Sequence, residues 1–364
     1  MRIFRILFLA LNFCVAIALL FSYSTNFISP QTLWITEGFA LAYRLTLLAN
    51  AAFALFWLFT KKKKYALISF AILLLGFNGI KELYSISKKD FTVSHENNIR
   101  LVSYNVRYFF KNGGWRKSAE NQTEIFKFLQ KTKPDVICFQ EYHHDNKWKY
   151  VMADTLKKQL GLEFMESYKQ HKINGRYFSG LATFSKYPIV NSGVMEYQNT
   201  GNGSVWVDIV KNQDTIRIYN NHLESYRFAH DNIKVMEDVQ NTQMVDEKDV
   251  RVIISKVKKA LGLRTQQANE LSDHISKSPY SVVVCGDFNS PAHSYVYKQI
   301  VKRNNLHDAF LNSGEKIGGT LVWNLPDIRL DYILHSNSLE SGNFTVEKIL
   351  SSDHYPIYCD IKLR

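Results

Sequence analysis

The sequence predicts an α/β protein preceded by transmembrane helices. The first 90 residues contain three long apolar runs and few acidic residues, whereas the remainder mixes aromatic, charged and turn residues as folded soluble domains do. Within the remainder, a strand pattern at 100–106 precedes a helix pattern at 118–131 and a second strand pattern at 135–140. Short apolar strands that alternate with an amphipathic helix are typical of α/β proteins.

Apolar runs predict a membrane anchor over residues 1–81. Residues 6–23 and 65–80 carry no charge, and residues 38–60 carry only Arg44. A helix that crosses a bilayer needs roughly 20 mostly apolar residues, so the first two runs are long enough and the third is marginal. Two alternatives stay open, because the first run also has the composition of a signal peptide and the third could form a buried helix.

Basic residues predict the orientation of this anchor. The formal net charge of the chain is +12, and +7 of it falls in the first 90 residues, beside the apolar runs. If the lysines at 61–64, Arg2 and Arg5 stay cytoplasmic, the third run leads outward. We therefore expect a multi-pass protein of the cell membrane, with a linker at 82–98 and an extracytoplasmic domain at 99–364. Without a third span, that domain would lie on the other side.

Short apolar runs and turn residues predict the other elements of the domain. Ser118 can cap the helix at 118–131, and Pro134 ends it. The polar stretch 226–248 is either an insertion near the site or part of a helix. Further strands are expected at 180–185, 204–210, 215–221, 281–285, 330–335 and 355–363, and helices at 249–276 and 292–303.

The four cysteines give no signal for a disulfide or a zinc site. Cys14 lies in the first apolar run, and Cys138, Cys285 and Cys359 lie in predicted strands. Because no C-x-x-C pair occurs, we expect buried thiols that behave as small hydrophobic side chains.

Polar side chains stand at the ends of the predicted strands. They are Asn105, Glu141, His222, Asp287, Asn289, Asp331, Asp353 and His354. Ligands of sheet proteins gather where strand ends meet loops, and side chains two residues apart in a strand point to one side. Each residue alone has an ordinary structural explanation, such as a turn, a surface acid or a structural histidine. The functional hypothesis depends on their joint occurrence and order.

The order of these motifs resembles the endonuclease/exonuclease/phosphatase superfamily, which includes pancreatic-type deoxyribonucleases, abasic-site endonucleases, neutral sphingomyelinases and inositol-polyphosphate 5-phosphatases. The resemblance covers about residues 98–364, and GDFN followed by a terminal SDH is its most specific part. It implies two β-sheets packed face to face and flanked by helices, a four-layer α/β/β/α fold. The motifs are SYNVRYF (103–109), CFQEY (138–142), GLATFSKYPI (180–189), YNNHLES (219–225), CGDFNSP (285–291), RLDYIL (329–334) and SSDHYPI (351–357).

The same resemblance implies a divalent metal ion, Mg²⁺ or in its place Mn²⁺. Glu141 resembles the metal-binding glutamate of the superfamily, and Asn105 and Asp353 are expected beside the same ion, directly or through water. Phosphate-ester hydrolysis requires an activated water, neutralisation of charge on the phosphoryl oxygens and help for the leaving oxygen. A hard cation held by few carboxylates neutralises that charge and contributes to the other two tasks.

The resemblance also assigns catalytic roles. Asp287 would orient or deprotonate the nucleophile, and Asn289 would donate a hydrogen bond to the charged transition state. Asp331 and His354 resemble a carboxylate–imidazole pair, in which His354 is either a base or a phosphate clamp. His222 resembles a second histidine that hydrogen-bonds the phosphate or protonates the leaving group.

Two residues are predicted to bind the substrate. Arg176 would help to hold phosphate. Tyr177 competes with Phe178 for the place of a tyrosine found in the abasic-site branch of the superfamily. The acidic partner that His222 has in deoxyribonucleases has no counterpart in the sequence beyond Glu224, two residues away.

These observations predict a membrane-anchored, metal-dependent hydrolase of phosphodiester or phosphomonoester bonds. A nucleic acid is one candidate substrate, because residues 107–117 combine basic and aromatic side chains, and a phospholipid headgroup is the other, because of the anchor. The alternative is a non-catalytic binding or scaffold module on the same fold, which would lack a metal or imidazole residue. A transporter would need more polar groups along its spans, and no obligate protein partner is indicated.

Overall fold

The computed structural model describes two compact units. We call the first the helix unit, formed by Met1–Phe77, Glu224–Ala268 and His293–Val296, and the second the sheet unit, formed by Asn78–Leu223, Asn269–Ala292 and Tyr297–Arg364. The residues whose structure is described are 2–87, 89–91, 98–109, 118–144, 152–173, 177–226, 246–322 and 328–363.

The sheet unit contains two mixed six-stranded sheets. The first has the strand order β11-β12-β1-β2-β4-β3, and the second has the order β5-β6-β7-β8-β10-β9. Strands β1 and β2 run parallel, as do β7 and β8, and all other neighbours are antiparallel. The strands are β1 (Asn98–Asn105), β2 (Val136–His144), β3 (Phe164–Ile173), β4 (Tyr177–Ser185), β5 (Ile189–Glu196), β6 (Gly203–Lys211), β7 (Asp214–His222), β8 (Ser281–Asp287), β9 (His307–Asp308), β10 (Asp331–His335), β11 (Leu339–Val346) and β12 (Ile357–Leu363).

Both faces of the first sheet are covered. Its inner face contributes Leu101, Cys138 and Ile357 to one apolar core, which also contains Val207 and Val283 of the second sheet. On its outer face, helix α5 (Ser118–Thr132) packs through its apolar stripe against β1 and β2. Strands buried on both faces read as continuous apolar runs, which is why the sequence revealed β1, β2 and β8.

Helices flank the two sheets, which confirms the predicted α/β/β/α class. The second sheet is contacted by a helix through Tyr219 of β7, whose hydroxyl lies 2.8 Å from His274 Nδ1. Among the described residues the helices are α1 (Arg2–Ser24), α2 (Thr36–Leu58), α3 (Ala66–Leu75), α4 (Phe77–Leu83), α5 (Ser118–Thr132), α6 (Met152–Leu160), α7 (Glu247–Ser276), α8 (Tyr295–Arg303) and α9 (Ala309–Ser313), with short 3₁₀ turns at Lys63–Tyr65 and Arg107–Phe109.

Two helices are long and apolar enough to cross a bilayer, by length and composition. They are Ile3–Ser24, with 22 residues, and Thr36–Leu58, with 23 residues. The third predicted run does not form one continuous helix: α3 has ten residues and ends before Gly76, and α4 follows. Gly76 lies against the Tyr23 ring, and a Cβ at this position would be 2.0 Å from it. At about 1.5 Å per residue, α3 alone is about half as long as a bilayer core is thick.

Polar side chains join the apolar helices of the helix unit to one another. Asn12 of α1 donates to Ser69 Oγ of α3 at 2.7 Å and accepts from Trp57 Nε1 of α2 at 2.9 Å. Asn50 donates to the Val15 carbonyl at 3.0 Å. Side chains of this kind hold helices together inside membranes, where no water competes for them.

The predicted linker, residues 82–98, is bound to the sheet unit wherever it is described. Ser85 and Lys316 exchange two backbone hydrogen bonds of 2.9 Å. The backbone N–H of Phe91 donates to Asn343 Oδ1 at 3.1 Å. The described part is therefore part of the folded unit and not a free tether.

Candidate active site

The strand ends bring the predicted residues together. In the first sheet, Asn105 ends β1 and Glu141 lies in the neighbouring parallel strand β2. In the second sheet, His222, Asp287 and Asp331 are register partners across β7, β8 and β10, so they form one row. A row of register partners places side chains about one strand spacing apart, close enough to act on one ligand.

Asp287 lies at the centre of the site. Its Oδ2 atom is 3.7 Å from His354 Nε2 and 3.8 Å from His222 Nε2, and His222 Nε2 is also 3.8 Å from Glu141 Oε1. The other nitrogen of His354, Nδ1, lies 2.8 Å from Asp331 Oδ2. The site therefore contains a carboxylate–imidazole–carboxylate sequence, Asp331–His354–Asp287, with a second imidazole beside it.

Asn105 links the two sheets. Its Nδ2 donates to Asp287 Oδ2 at 3.0 Å and to Glu141 Oε1 at 3.4 Å, and its Oδ1 accepts from the backbone N–H of Arg107 at 3.1 Å. In this orientation the amide hydrogens face the carboxylates. For Oδ1 to bind a cation, the side-chain amide of Asn105 would have to rotate so that Oδ1 and Nδ2 exchange places.

Left-handed backbone conformations orient two of these residues. Glu141 has φ +51° and lies in a bulge between Phe139 and Tyr142, and Asn289 also has φ +51°. A left-handed conformation costs a non-glycine residue about 1–2 kcal/mol. Bulges beside active sites redirect side chains, and here the bulge coincides with the predicted metal ligand.

Asn289 positions Asp287 in this structure. Its backbone N–H donates to Asp287 Oδ1 at 2.8 Å, and its Nδ2 donates to the Leu223 carbonyl at 3.0 Å. The Leu223 N–H in turn donates to the Asp287 carbonyl at 3.0 Å. These bonds tie the loops after β7 and β8 together; donation from Asn289 to a phosphate stays a prediction.

Arg107 and Ser352 are site residues that the sequence reasoning missed. Arg107 follows β1 in a turn in which three successive residues have positive φ, and its Nη1 lies 3.2 Å from Asp353 Oδ2. Ser352 Oγ donates to the Asn105 carbonyl at 2.7 Å and so fixes the loop that carries Asp353 and His354. Arg107 begins the basic and aromatic segment 107–117, which the sequence analysis connected with nucleic-acid binding and not with the site itself.

The structure does not describe the side chains of the two predicted substrate-binding residues. Arg176 lies outside the described residues. Tyr177 begins β4, where it pairs with Ile173.

Among the described residues, the carboxylates that lie near His222 are those of Glu141 and Asp287. The backbone N–H of Glu224, the acid two residues after His222, donates to Gln267 Oε1 at 2.7 Å.

The family comparison agrees with this geometry. A family model described as the Endonuclease/Exonuclease/phosphatase family matches residues 102–354, which include every site residue whose side chain is described. The chain belongs to this family. Members of the family are generally hydrolytic phosphoesterases. A second model, described as a domain of unknown function, matches residues 5–83.

Solved structures share the fold of this Endonuclease/Exonuclease/phosphatase family member. The catalytic domain of human Nocturnin with bound sulfate aligns with TM-score 0.52 and 18% identity, over 73% of this chain and 95% of that one. A family protein from Leptotrichia buccalis aligns with TM-score 0.50 and 18% identity, over 73% and 99%. One from Beutenbergia cavernae aligns with TM-score 0.50 and 15% identity, over 73% and 72%. No curated protein matches the chain.

Burial and neighbouring charges shift the pKa values in the site. Burial, reinforced by the Asp353 carboxylate, raises the pKa of Glu141 to about 7. Burial also raises the pKa of Asp287, and Asp331 adds to this effect. For His354, burial lowers the pKa, but Asp331 and Asp287 outweigh burial and hold it well above its ordinary value. A nearby cation would therefore favour the charged form of Glu141, and the two aspartates favour the charged form of His354.

The oxygen atoms around Glu141 suit a hard divalent cation. A second grouping, Asp287, Asp331 and His354, has ligand atoms within 4.8 Å of one another among the described residues. Its imidazole, however, is hydrogen-bonded to Asp331, and Asp331 and Asp287 raise its pKa, which favours the protonated form over a metal-bound one. Glu141, with Asp353 and Asn105 beside it, offers oxygen donors and a carboxylate whose charge a dication would stabilise.

Asp331→Asn is expected to lower kcat about 100-fold. Because the Asp331 carboxylate raises the pKa of His354, its loss lowers that pKa, and the imidazole loses its proton at a lower pH than in the wild type. Steady-state kinetics across pH checks both effects. The double variant Asp331→Asn/His354→Ala should have nearly the same kcat as His354→Ala alone, because the two residues act as one unit. If the double variant instead lost the full sum of the two single effects on the activation free energy, the pairing of Asp331 with His354 would be contradicted.

Proposed function

We propose that this protein is a membrane-anchored, Mg²⁺-dependent phosphoesterase that hydrolyses a phosphodiester bond. The observation that carries the proposal is the convergence of Glu141, Asp287, His222 and the Asp331–His354 pair at one buried site. A scaffold module would not need a buried carboxylate–imidazole pair beside a second imidazole, since burial of charge is costly without a function or a partner.

The proposed mechanism assigns a task to each group. Glu141, with Asp353 and Asn105, would hold Mg²⁺, which when bound would supply positive charge for the phosphoryl oxygens. Asp287, fixed by Asn289, orients the attacking water and accepts its proton. The imidazolium of His354, held by Asp331, hydrogen-bonds a phosphoryl oxygen and stabilises the charge that develops there. His222 stands next to Asp287 and Glu141 and is placed to protonate the leaving oxygen.

The proposal keeps the catalytic domain extracytoplasmic, which requires the chain to return across the bilayer after the lysines at 61–64, through α3 and α4. The connection between α1 and α2, residues 25–35, contacts later parts of the chain: Thr25 Oγ1 donates to the His293 carbonyl at 2.9 Å, and Gln31 donates to the Gly262 carbonyl at 3.0 Å. The lysines at 61–64 follow the opposite end of α2. If the lysines at 61–64 are cytoplasmic, the contacts of residues 25–35 lie on the extracytoplasmic side of the membrane.

The test uses the full chain in lipid nanodiscs. We expect turnover of a bis-aryl phosphodiester, and of at least one of plasmid DNA, RNA, sphingomyelin and phosphoinositide, in the presence of Mg²⁺. EDTA should abolish turnover and added Mg²⁺ or Mn²⁺ should restore it. Turnover that persists in EDTA, or its absence on every substrate with either metal, would overturn the proposal. Protease added outside spheroplasts should cleave the catalytic domain; its protection would reverse the orientation.

A further inference from the structure

A short segment of the sheet unit binds the loop that carries His354. Residues 320–322 lie between α9 and β10, and Leu321 forms an antiparallel bridge with His354. The N–H of Tyr355 donates to the carbonyl of the first residue of this segment at 2.7 Å, and the carbonyl of Asp353 accepts from the N–H of its last residue at 2.7 Å. The segment thus holds the backbone on both sides of the imidazole.

The first residue of this segment, Thr320, also binds the start of β10. It is fully buried, and its Oγ1 accepts from the backbone N–H of Leu330 at 3.0 Å and from that of Asp331 at 3.2 Å. Its own N–H donates to the Ile328 carbonyl at 2.9 Å. Thr320 therefore binds the strand that carries Asp331 through its hydroxyl and the loop that carries His354 through its carbonyl.

The hydroxyl takes the place of a neighbouring strand at the start of β10. Strand β9 pairs with β10 at Leu334 and His335, beyond Asp331, and the N–H of Asp331 is bound by the Thr320 side chain instead. Buried N–H groups need an acceptor, and a hydroxyl oxygen has the two lone pairs that two N–H groups require. Loss of the hydroxyl would deprive both N–H groups of this acceptor, which is unfavourable unless the backbone moves.

We propose that Thr320 is a positioning residue that holds the Asp331 carboxylate against the His354 imidazole. The 2.8 Å contact between Asp331 Oδ2 and His354 Nδ1 joins two separate segments of the chain, and Thr320 binds both of them. A shift of about 1 Å in such a contact can cost a factor of about 100 in rate. This inference rests on the proposed function and adds to it a residue that acts through the pair and not on the substrate.

Substitutions of Thr320 in the full chain in nanodiscs test this role, with a bis-aryl phosphodiester as the substrate. Thr320→Val keeps the shape of the side chain and removes the acceptor, so we expect kcat to fall about 10- to 100-fold with KM unchanged. Thr320→Ser keeps the hydroxyl and should keep most of the activity. Thr320→Cys, whose sulfur is a weak acceptor, should lie between the two. Equal kcat values for Thr320→Val and Thr320→Ser would overturn the inference.

Ser313→Ala is the matched control. Ser313 is buried, and its Oγ also accepts from a backbone N–H, that of Phe344, at 3.3 Å. The substitution removes a buried hydroxyl of the same kind, but Phe344 lies in β11, which belongs to the other sheet. We expect the wild-type kcat, with a fall in Tm similar to that of Thr320→Val. An equal loss of kcat in Ser313→Ala would show that general destabilisation lowers the rate, and the positioning role would be refuted.

A double variant tests whether Thr320 acts through Asp331. Asp331→Asn/Thr320→Val should have nearly the same kcat as Asp331→Asn alone, because the carboxylate that Thr320 positions is already absent. If the double variant instead showed the full product of the two single losses, Thr320 would affect the rate by another route and the inference would be wrong.

Hydrogen exchange gives a readout that needs no substrate. In Thr320→Val, the amides of Leu330 and Asp331 should exchange faster than in the wild type, whereas those of residues 333–335 should keep their protection. Unchanged exchange at both amides would contradict the positioning role. If the wild type hydrolyses no phosphodiester but these amides respond as expected, the proposed function fails and the positioning of Asp331 by Thr320 stands.

Discussion

Glu141→Gln is expected to reduce phosphodiester hydrolysis by at least about 1,000-fold, because it removes the carboxylate that holds the proposed cation and leaves the phosphoryl charge without compensation. The side chain keeps its shape, so the fold should persist. Without metal, the variant should be at least as stable as the wild type, since burial raises the pKa of Glu141 to about 7 and its charge is unfavourable there.

Thermal unfolding distinguishes the loss of metal binding in Glu141→Gln from a general loss of stability. Mg²⁺ should raise the Tm of the wild type and leave that of Glu141→Gln unchanged, because only the wild type binds the ion in its folded state. Glu166→Gln is the matched control: this carboxylate lies in β3 and accepts from Ser192 Oγ at 2.6 Å, away from the site residues. Equal stabilisation of Glu141→Gln by Mg²⁺ would show that Glu141 is not a ligand.

Asp308→Ala is expected to destabilise the sheet unit by roughly 3–5 kcal/mol. Asp308 pairs with Arg329, accepts from the Tyr297 hydroxyl at 2.7 Å and caps α9 by accepting from the Phe310 N–H at 3.0 Å. Arg329 is buried, with its guanidinium 4.7 Å from the Tyr332 ring centroid. The substitution therefore leaves a buried cation without its counter-charge.

Urea unfolding of the full chain in detergent, followed by near-ultraviolet circular dichroism, measures this loss. Asp273→Ala is the control, since Asp273 and Arg303 form an ion pair in which both side chains are about half exposed, and its loss should cost less than about 0.5 kcal/mol. Adding Arg329→Met to Asp308→Ala should recover part of the stability, because it removes the isolated charge. A loss for Asp308→Ala no larger than the control would contradict the account.

The sequence was informative about the site because polar residues end buried strands. Asn105, His222 and Asp287 follow apolar runs, and parallel neighbours bring such ends to one edge. Pairing between side chains was not predictable in the same way. Arg329 stands two residues before Asp331 in the sequence, but the structure pairs Arg329 with Asp308 and pairs Asp331 with His354, both partners distant along the chain.

Other features depend on tertiary contacts that leave no local pattern. Strands β3, β5, β9 and β11 were not predicted; β5, for example, is half exposed along its length and shows no clean alternation. The left-handed backbone at Glu141 arises from a bulge against β4, which neighbouring residues do not reveal. The break after α3 falls at Gly76, where the absence of a side chain leaves room for the Tyr23 ring of a helix distant in sequence.

The pairing of β12 between β11 and β1 has a consequence for biosynthesis. The first strand of the domain, β1, finds its antiparallel neighbour only in the last seven-residue strand, Ile357–Leu363. His354 lies just before that strand, so the sheet and the imidazole are both incomplete until residues 354–363 have been synthesised. In a nascent chain that has not yet reached β12, one edge of β1 is uncovered and the Asp331–His354 pair cannot form.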